Sequence, residues 1–413
     1  MSRVRPGRPD HLLLALVLAI TGIGLLAVYS ASFAVGWNDF GNPNYFILRQ
    51  ALSAAIGLGL LAFFAWLPYP LLRRYSPLIM LLSLVTLFVV LLPHVGVRSN
   101  GANRWIALGP LPPLEPSEFA KLAMVIYIAA WLAAKGEHLK QVTLGVVPFV
   151  MMVGLVGGLI LAEPDMGTTI VITLTTMAMF FIAGAALRHV FTLVASGVAG
   201  GVLLVLLEGY RSQRWEAFLD AEKYPSGAGY HILQLLIALG SGGLRGVGLG
   251  ASRQKLFYVP GAHTDGIFAI IGEEAGFIGA VLVLLLFAAL IYRGFRAGFK
   301  APDEFSRLLA IGITCWIGFQ TIINIGGITR SIPMTGIPLP FLSYGGSALM
   351  ATLAACGVLL NVSRHAVEAP APQPPREPVI VVRGQPASTP LPQPMFRRGR
   401  TRRRRRSLER GRA

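Results

Sequence analysis

The 413-residue chain has few charged residues: Asp, Glu, Lys and Arg together make up 13% of it, whereas 54% is hydrophobic. Soluble domains carry about a quarter charged residues, so this composition excludes an ordinary soluble protein and indicates a polytopic membrane protein. The two cysteines, Cys315 and Cys356, lie in apolar runs. Neither a disulfide framework nor a cysteine-rich metal site is therefore predicted.

Common nucleotide and zinc motifs are also missing. The chain has no G-x-x-x-x-G-K-[ST] loop and no H-E-x-x-H pair, which argues against ATP-driven chemistry by this chain alone and against that kind of zinc site. The glycine run GSGGLRGVGLG at 240–250 has no predicted strand before it, so flexible backbone is favoured over phosphate binding. The sequence requires no cofactor.

Negative charge is scarce, because 19 acidic residues stand against 36 basic ones, a net charge of +17. Twelve arginines and three glutamates after residue 365 place +9 of this charge in the C-terminal tail. We predict residues 363–413 to be a disordered, Pro- and Arg-rich cytoplasmic tail that contacts anionic membrane lipid. The basic charge does not predict a nucleic-acid-binding core.

Apolar segments close to the ~20 residues needed to cross a bilayer recur along the rest of the chain. Ten transmembrane helices are predicted, at about 11–34, 46–67, 77–95, 117–134, 143–162, 167–185, 189–208, 266–292, 306–328 and 340–361. The first run is too long for the apolar region of a secretory signal. Loop lysines and arginines obey the positive-inside rule with both termini cytoplasmic, the N-terminus being residues 1–10. The fold class is thus an all-α polytopic membrane protein with a transmembrane domain at 11–362.

Two outer connections are long, at 96–116 and at 209–264, the second between helices 7 and 8. Loops of this length are usually functional or disordered. The second contains HILQLLIALG, an amphipathic run that predicts a short interfacial or re-entrant helix. The prolines and glycines of PMTGIPLPFLSYGGSAL at 333–349 predict broken backbone beside a polar cleft that opens outward.

Ionisable residues on the predicted outer side are the candidates for chemistry. Glu118 and Lys121 are three apart on one helix face, where a structural salt bridge and a functional pair are equally plausible. Glu163 and Asp165 flank a proline in an outer turn, and an ordinary interfacial turn is favoured there. The loop cations predict a basic rim at which a phosphorylated lipid docks: Arg211, Arg214, Arg253 and Lys255.

Asp265 follows His263 and Thr264 directly before a long apolar run. An N-terminal helix cap and a catalytic base explain it equally well from the residues alone. Glu273 and Glu274 lie about two helical turns further on, and we predict that they pair with a basic residue rather than take part in catalysis.

Six blocks of the chain, in this order, resemble the SEDS family of bacterial membrane proteins, which includes FtsW, RodA and SpoVE. The blocks are NGANRWIALG, PSEFAKL, EPDMGTT, RWEAFLD, SRQKLFYVPGAHTDGIFAIIGEE and TGIPLPFLSYGGS. The resemblance covers essentially all of 11–362 and implies the same ten-helix topology. GLGASRQKLFYVP and PSEFAKLAMVIYIA look closest to the FtsW branch, which implies septal synthesis in cell division rather than cell elongation.

The resemblance implies a peptidoglycan glycosyltransferase that polymerises lipid II on the outer face of the plasma membrane without a nucleotide. Asp265 matches the family's essential Asp and would activate the 4-hydroxyl of the acceptor sugar. The candidate cations for the pyrophosphate are Arg104, Lys121, Arg214, Arg253 and Lys255. Trp105 would stack on a sugar or anchor its loop, and the other substrate-contact candidates are Glu118, His263, Thr264, Ser343 and Tyr344.

A class B penicillin-binding protein, a transpeptidase, is the partner that the resemblance implies, together with other division proteins. A divalent cation, Mg²⁺ or Mn²⁺, can neutralise the leaving group, and the sequence leaves that point open. The family usually has an acidic residue at the position of Gly261 and Phe at that of Gly266, and the loss of the bulky Phe predicts less rigid packing next to Asp265. A lipid II flippase, a RodA-like elongation enzyme and a non-catalytic scaffold for the transpeptidase remain as alternatives.

Overall fold

The computed structural model describes residues 7, 9–93, 96–99, 102–107, 109, 112–207, 209–224 and 227–366. Most of the predicted cytoplasmic tail lies outside the described residues. The described part is mostly helical, with one short antiparallel hairpin. Its elements, in chain order, are α1 (His11–Phe40), α2 (Tyr45–Trp66), α3 (Tyr69–Leu91), β1 (Gly96–Ser99), β2 (Ala102–Ile106), α4 (Pro116–Lys135), α5 (Val147–Ala162), α6 (Met166–Ile182), α7 (Leu187–Leu207), α8 (Gly209–Leu219), α9 (Ala228–Ser241), α10 (Ile267–Phe299), α11 (Glu304–Ile328) and α12 (Gly346–Arg364).

Within the described ranges, nine helices are long and apolar enough to cross a membrane, counting the turns that extend α4 and α5. They correspond to nine of the ten predicted spans. The remaining predicted span, 167–185, coincides with α6, an apolar helix of 17 residues. The chain is therefore a multi-pass membrane protein of the predicted class, and the count of ten stays a prediction.

Both ends of the membrane portion lie at the same end of the bundle. The Gly7 amide donates a hydrogen bond to the Arg364 carbonyl (2.7 Å), and the Asp10 amide donates one to Ser363 Oγ (3.1 Å). Asp10 also caps α1 and forms an ion pair with Arg293 at the end of α10. An even number of crossings requires this arrangement. Because the basic loop residues lie at this end, we refer to it as the cytoplasmic end and to the other as the outer end.

Several predicted boundaries were wrong. Helix α3 begins at Tyr69, directly after Pro68, so Arg73 and Arg74 lie in the helix rather than in a loop. Helix α1 runs six residues beyond the predicted end and stops where Gly41 adopts a left-handed conformation (φ 63°). The last helix begins at Gly346 instead of residue 340, because Pro333, Pro338 and Pro340 keep the preceding segment out of a helix.

Helices α4, α11 and α12 are the most buried of the candidate spans. Helix α12 packs along α2, and α11 packs against α4, α6 and α10. By contrast, α7 has no buried residue among its described positions. The N-terminus of α10, the C-terminus of α11 and the N-termini of α4, α6 and α12 all lie at the outer end, so this end collects their terminal polar residues.

The long outer connections contain regular structure. In the first, β1 pairs with β2, and Ile106 bridges to Leu114 beyond the hairpin. The second contains α8 and α9, and α9 includes the amphipathic run for which a short helix was predicted. Residues 329–345 form an irregular segment between α11 and α12, as their prolines and glycines predict.

Candidate active site

Asp265 is the last but one residue before α10, and it does not cap that helix. The N-cap position is occupied by Gly266, which has no side chain to accept a hydrogen bond. Asp265 Oδ1 instead accepts a hydrogen bond from Thr264 Oγ1 (3.1 Å). Of the two interpretations of Asp265, the structure thus excludes a conventional side-chain cap and leaves its carboxylate available for chemistry.

The backbone around Asp265 is fixed by its neighbours in the bundle. The amide of Tyr344 donates to the His263 carbonyl (2.8 Å). Asn324 Nδ2, on α11, donates to the carbonyls of both Asp265 (3.1 Å) and Ile337 (2.8 Å). One amide side chain therefore joins the Asp265 loop to the irregular segment 329–345.

His263 points its ring into an aromatic cluster. Its centroid lies 4.6 Å from that of Phe46 and 5.6 Å from that of Tyr344. Burial lowers the pKa of His263 to about 4, so the imidazole is neutral near pH 7. His263 consequently packs beside the site and carries no charge to offer an anion.

Gly336 marks the point at which Asp265 meets a cation. Its φ of 78° is one that L side chains rarely adopt. A Cβ built on Gly336 would lie 3.7 Å from Asp265 Oδ2 and 3.9 Å from both terminal nitrogens of Arg214. Arg214, on α8, also donates to the Met334 carbonyl (3.3 Å). A carboxylate and a guanidinium therefore border the same small volume over Gly336.

Gly261 is the second glycine that this geometry requires. It has φ 65°, and a Cβ there would lie 2.5 Å from Asp265 Oδ1 and 2.8 Å from Thr264 Oγ1. Any side chain would displace the carboxylate. At Gly266 the packing is close rather than loose, because a Cβ would lie 3.1 Å from both Leu235 and Val259. The two departures from the family pattern are thus accompanied by tight packing around Asp265.

Glu118 and Lys121 form a buried ion pair (2.8 Å), and both side chains are 2% exposed. Lys121 Nζ also donates to Gln320 Oε1 (2.8 Å), and Gln320 Nε2 donates to the Pro338 carbonyl (2.9 Å). Of the two alternatives considered for Glu118 and Lys121, the fold contains the structural salt bridge. It connects α4 through α11 to the segment that carries Gly336.

Arg104 holds the hairpin against the turn between α5 and α6. Its Nε donates to the Glu163 carbonyl (2.7 Å), and a terminal nitrogen donates to the Pro164 carbonyl. Asp165 caps α6 by accepting from the Thr168 amide (3.0 Å). Trp105, next to Arg104 on β2, is partly buried opposite Val97.

Glu163 is fully buried, and neither of its carboxylate oxygens has a hydrogen-bond partner among the described residues. Burial and the nearby carboxylates of Asp165 and Glu115 raise the pKa of Glu163 to about 9. Burial and the charges of Glu118 and Asp165 raise the pKa of Glu115 to about 8. Both carboxyl groups are therefore mostly protonated at neutral pH, which limits charge repulsion in this acidic cluster.

Lys255 lies away from Asp265 in a buried ion pair. Its Nζ is 2.8 Å from Glu274 Oε1 and donates to Ser30 Oγ (2.9 Å). Glu273 accepts from the Ser252 hydroxyl and from the Arg253 amide (2.9 Å). Pairing with a basic residue was predicted for both glutamates: Glu274 has it in Lys255, whereas Glu273 is bound by a hydroxyl and a backbone amide instead of a basic side chain. Arg253 itself keeps an exposed side chain.

Ser343 and Tyr344 belong to the turn that leads into α12. Ser343 Oγ accepts from the Leu339 amide (2.8 Å), and Gln50 Nε2 donates to the Ser343 carbonyl (3.1 Å). Burial raises the pKa of Tyr344, which packs edge-on against Phe46. Both residues stabilise the wall of the site beside His263.

Three polar residues of the site were not predicted: His231 on α9, and Gln320 and Asn324 on α11. Gln320 and Asn324 are four apart in a helix that is apolar along most of its length, and polar residues inside a membrane helix commonly face a partner or a cavity. That signal was available in the sequence. Among the described residues, no group of three or more His, Cys, Asp or Glu side chains is arranged to hold a metal ion.

The family model for FtsW, RodA and SpoVE, described as "Cell cycle protein", matches residues 10–368. Among sequence relatives, the stage V sporulation protein E of Bacillus subtilis is 44% identical over 357 residues, covering 86% of this chain and 97% of that protein. A probable peptidoglycan glycosyltransferase FtsW of Trichlorobacter lovleyi is 40% identical, covering 86% of this chain and 93% of the relative.

Solved structures agree with the sequence relatives. A chain from a peptidoglycan synthase complex, described as coordinating polymerization and crosslinking, superposes with a TM-score of 0.71 at 28% identity, covering 86% of this chain and 98% of that one. The rod shape determining protein RodA of Thermus thermophilus superposes with a TM-score of 0.64, also at 28% identity, covering 87% and 98% of the two chains.

Proposed function

This chain belongs to the FtsW/RodA/SpoVE family of cell cycle proteins, and we propose that it polymerises lipid II through Asp265 and Arg214 at the outer end of the bundle. It is a multi-pass membrane enzyme of the peptidoglycan glycosyltransferase type. The observation that carries the assignment of the site is the meeting of the Asp265 carboxylate and the Arg214 guanidinium over Gly336.

In the proposed reaction, the 4-hydroxyl oxygen of the acceptor sugar attacks the anomeric carbon of the donor. The bond between that carbon and the pyrophosphate oxygen breaks, and undecaprenyl pyrophosphate leaves. Asp265 takes the hydroxyl proton as the attack proceeds. A pyrophosphate departs without protonation, so one base and a source of positive charge are sufficient.

Arg214 is the cation best placed for the pyrophosphate, because its terminal nitrogens border the volume beside Asp265 Oδ2. A guanidinium recognises phosphate oxygens through parallel N–H donors. Arg253 is exposed and supplies a second cation toward the headgroup. Arg104, Lys121 and Lys255 already bind protein acceptors, and we assign structural roles to them.

The remaining predicted contacts support the site from its sides. Thr264 orients the Asp265 carboxylate through its hydroxyl. His263, Ser343 and Tyr344 hold the adjoining wall, and Trp105 presents an aromatic surface on the hairpin.

The enzyme acts in the bacterial plasma membrane with a class B penicillin-binding protein, which crosslinks the new glycan. Similarity to a chain from a peptidoglycan synthase complex supports a transpeptidase partner. Relatives named FtsW support a role at the division septum with other division proteins. The Arg-rich tail would associate with anionic lipid.

The test is glycan polymerisation from purified lipid II by the protein and its transpeptidase partner. Asp265→Asn removes the base and should lower the rate by about 10²–10⁴-fold. Arg214→Gln should lower it by about 10²–10³-fold, as for other lost donors to developing charge. Matched controls are Asp220→Asn, in an exposed outer position, and Arg188→Gln, exposed at the cytoplasmic end; both should polymerise normally.

Normal polymerisation by Asp265→Asn would overturn the catalytic assignment and favour a scaffold. Lipid II translocation by the wild type without any polymer would favour a flippase. Recruitment of the protein to the lateral wall rather than to the septum would favour the elongation role.

A further inference from the structure

We propose that His231 is a further substrate-contacting residue of this site, and that its imidazole binds a hydroxyl group of the acceptor sugar. The inference rests on the proposed function and names a contact that the reaction above does not use. His231 lies in the first turn of α9, within the long outer connection. Its Nε2 is buried and has no hydrogen-bond partner among the described residues.

The packing of α9 places His231 over Asp265. Leu235 lies one turn after His231 on the same face of α9. A Cβ built on Gly266 would lie 3.1 Å from Leu235 Cδ2. Leu239, a further turn along, packs in the same way on Gly272 of α10. Helix α9 thus runs alongside the start of α10. The turn of α9 before Leu235 carries His231 and reaches the level of Asp265.

The packing of α8 against α9 brings Arg214 to the same place. Ala217 and Ala221 of α8 form a small buried cluster with Ile232, the residue after His231. Arg214 precedes Ala217 by three residues, so it lies on the face of α8 that contacts α9. His231 therefore joins the base and the cation as a third polar group at this site.

The electrostatic surroundings keep the imidazole neutral. Burial is the main cause that lowers the pKa of His231; Arg214 lowers it further and the Asp265 carboxylate raises it. A neutral imidazole neither competes with Arg214 for the pyrophosphate nor forms an ion pair with Asp265. It can exchange a hydrogen bond with a neutral hydroxyl, which is the group that the acceptor sugar presents.

A buried polar atom without a partner is uncommon in a folded protein and calls for an explanation. His263 also has an unpartnered ring nitrogen, but its ring is enclosed between Phe46 and Tyr344. His231 differs because its two charged neighbours are the residues assigned to the reaction. A substrate hydroxyl would satisfy Nε2 when the site is filled.

The test compares His231→Leu with His231→Gln in lipid II polymerisation by the full chain and its transpeptidase partner. The glutamine side-chain amide can take the place of Nε2 as a hydrogen-bonding group, whereas leucine cannot. We expect His231→Leu to lower kcat/KM by about tenfold or more, which is typical for a lost buried hydrogen bond, and His231→Gln to stay within about threefold of the wild type. Ile237→Ala, an exposed position on α9, is the control for disturbance of the helix.

Melting temperatures of all variants show whether a loss is one of folding. If His231→Leu melts early, His231→Asn takes its place in the comparison with His231→Gln. The asparagine side chain is one methylene shorter than that of glutamine, so its amide does not reach the position of Nε2. Wild-type kcat/KM in His231→Leu, or equal losses in His231→Leu and His231→Gln, would overturn the proposal. Asp265→Asn is run in parallel: normal activity in that variant would refute the proposed site itself, whichever way the His231 variants behave.

Discussion

Gly261 gives a sharp test of how the Asp265 carboxylate is positioned, through the substitution Gly261→Ala. Two effects follow from the structure. A non-glycine residue at φ 65° costs about 1–2 kcal/mol of folding free energy. In addition, the new Cβ would lie 2.5 Å from Asp265 Oδ1, which is closer than side-chain contacts allow, so the carboxylate must move.

Gly41→Ala is the matched control, because Gly41 has φ 63° and a Cβ there would have open space around it. Both variants should lose a similar amount of stability from the backbone. Only Gly261→Ala should lose polymerisation, by about 10²-fold, since a displacement of about 1 Å at a reacting group costs that much. The assays are thermal unfolding in detergent and polymerisation of lipid II.

Equal polymerisation rates for Gly261→Ala and Gly41→Ala would contradict this role of Gly261. Such a result would mean either that the carboxylate tolerates displacement or that Asp265 does not act from its position beside Gly336. If both variants lost activity in proportion to their loss of stability, Gly261 would be needed only for its backbone conformation and not to leave room for the Asp265 carboxylate.

Two further predictions concern buried ionisable residues. Lys255→Met leaves the buried Glu274 without its cationic partner and should lower the free energy of unfolding by about 3–5 kcal/mol. In thermal unfolding, the double variant Lys255→Met/Glu274→Met should recover most of this loss. A lipid II KM that rises in both variants would instead favour substrate binding by Lys255. Glu163 keeps its proton in the fold up to about pH 9 but loses it at about pH 4.5 when unfolded, so its contribution to stability should fall as pH rises between these values. Glu163→Gln should therefore flatten the decline of the melting temperature between pH 6 and about pH 9, and an unchanged slope would contradict the raised pKa.

The helical spans were predictable because their signal is long and local. Runs of about 20 apolar residues identify a span without knowledge of its neighbours. The start of α12 was misjudged because the apolar residues near 340 extend the hydropathy signal into a segment that its prolines keep irregular. Residue 340 is itself one of those prolines.

The site was only partly predictable. Asp265 was identified by its motif, and Arg214 by the charge of its loop. The sequence does not say which of five basic residues meets Asp265, because that depends on how α8 and α9 pack on α10. Lys255 and Arg214 look alike in the sequence, yet one is enclosed with Glu274 and the other borders the Asp265 carboxylate.

Gly261 and Gly266 illustrate the same limit. Taken as a departure from the family pattern, Gly266 suggested looser packing beside the base. In the fold, Gly261 leaves room for the Asp265 carboxylate, and Leu235 and Val259 fill the space beside Gly266. Leu235 belongs to a different helix, α9, and no local sequence pattern around Gly266 reports that contact.

In the proposed mechanism, Asp265 acts chemically and does not merely help to bind lipid II. These two roles are separated by measuring lipid II affinity and single-turnover polymerisation on the same preparation of Asp265→Asn. We expect affinity within about threefold of the wild type and a rate lowered by at least about 10²-fold. A wild-type rate, or a loss of rate explained entirely by weaker binding, would show that Asp265 is not the base.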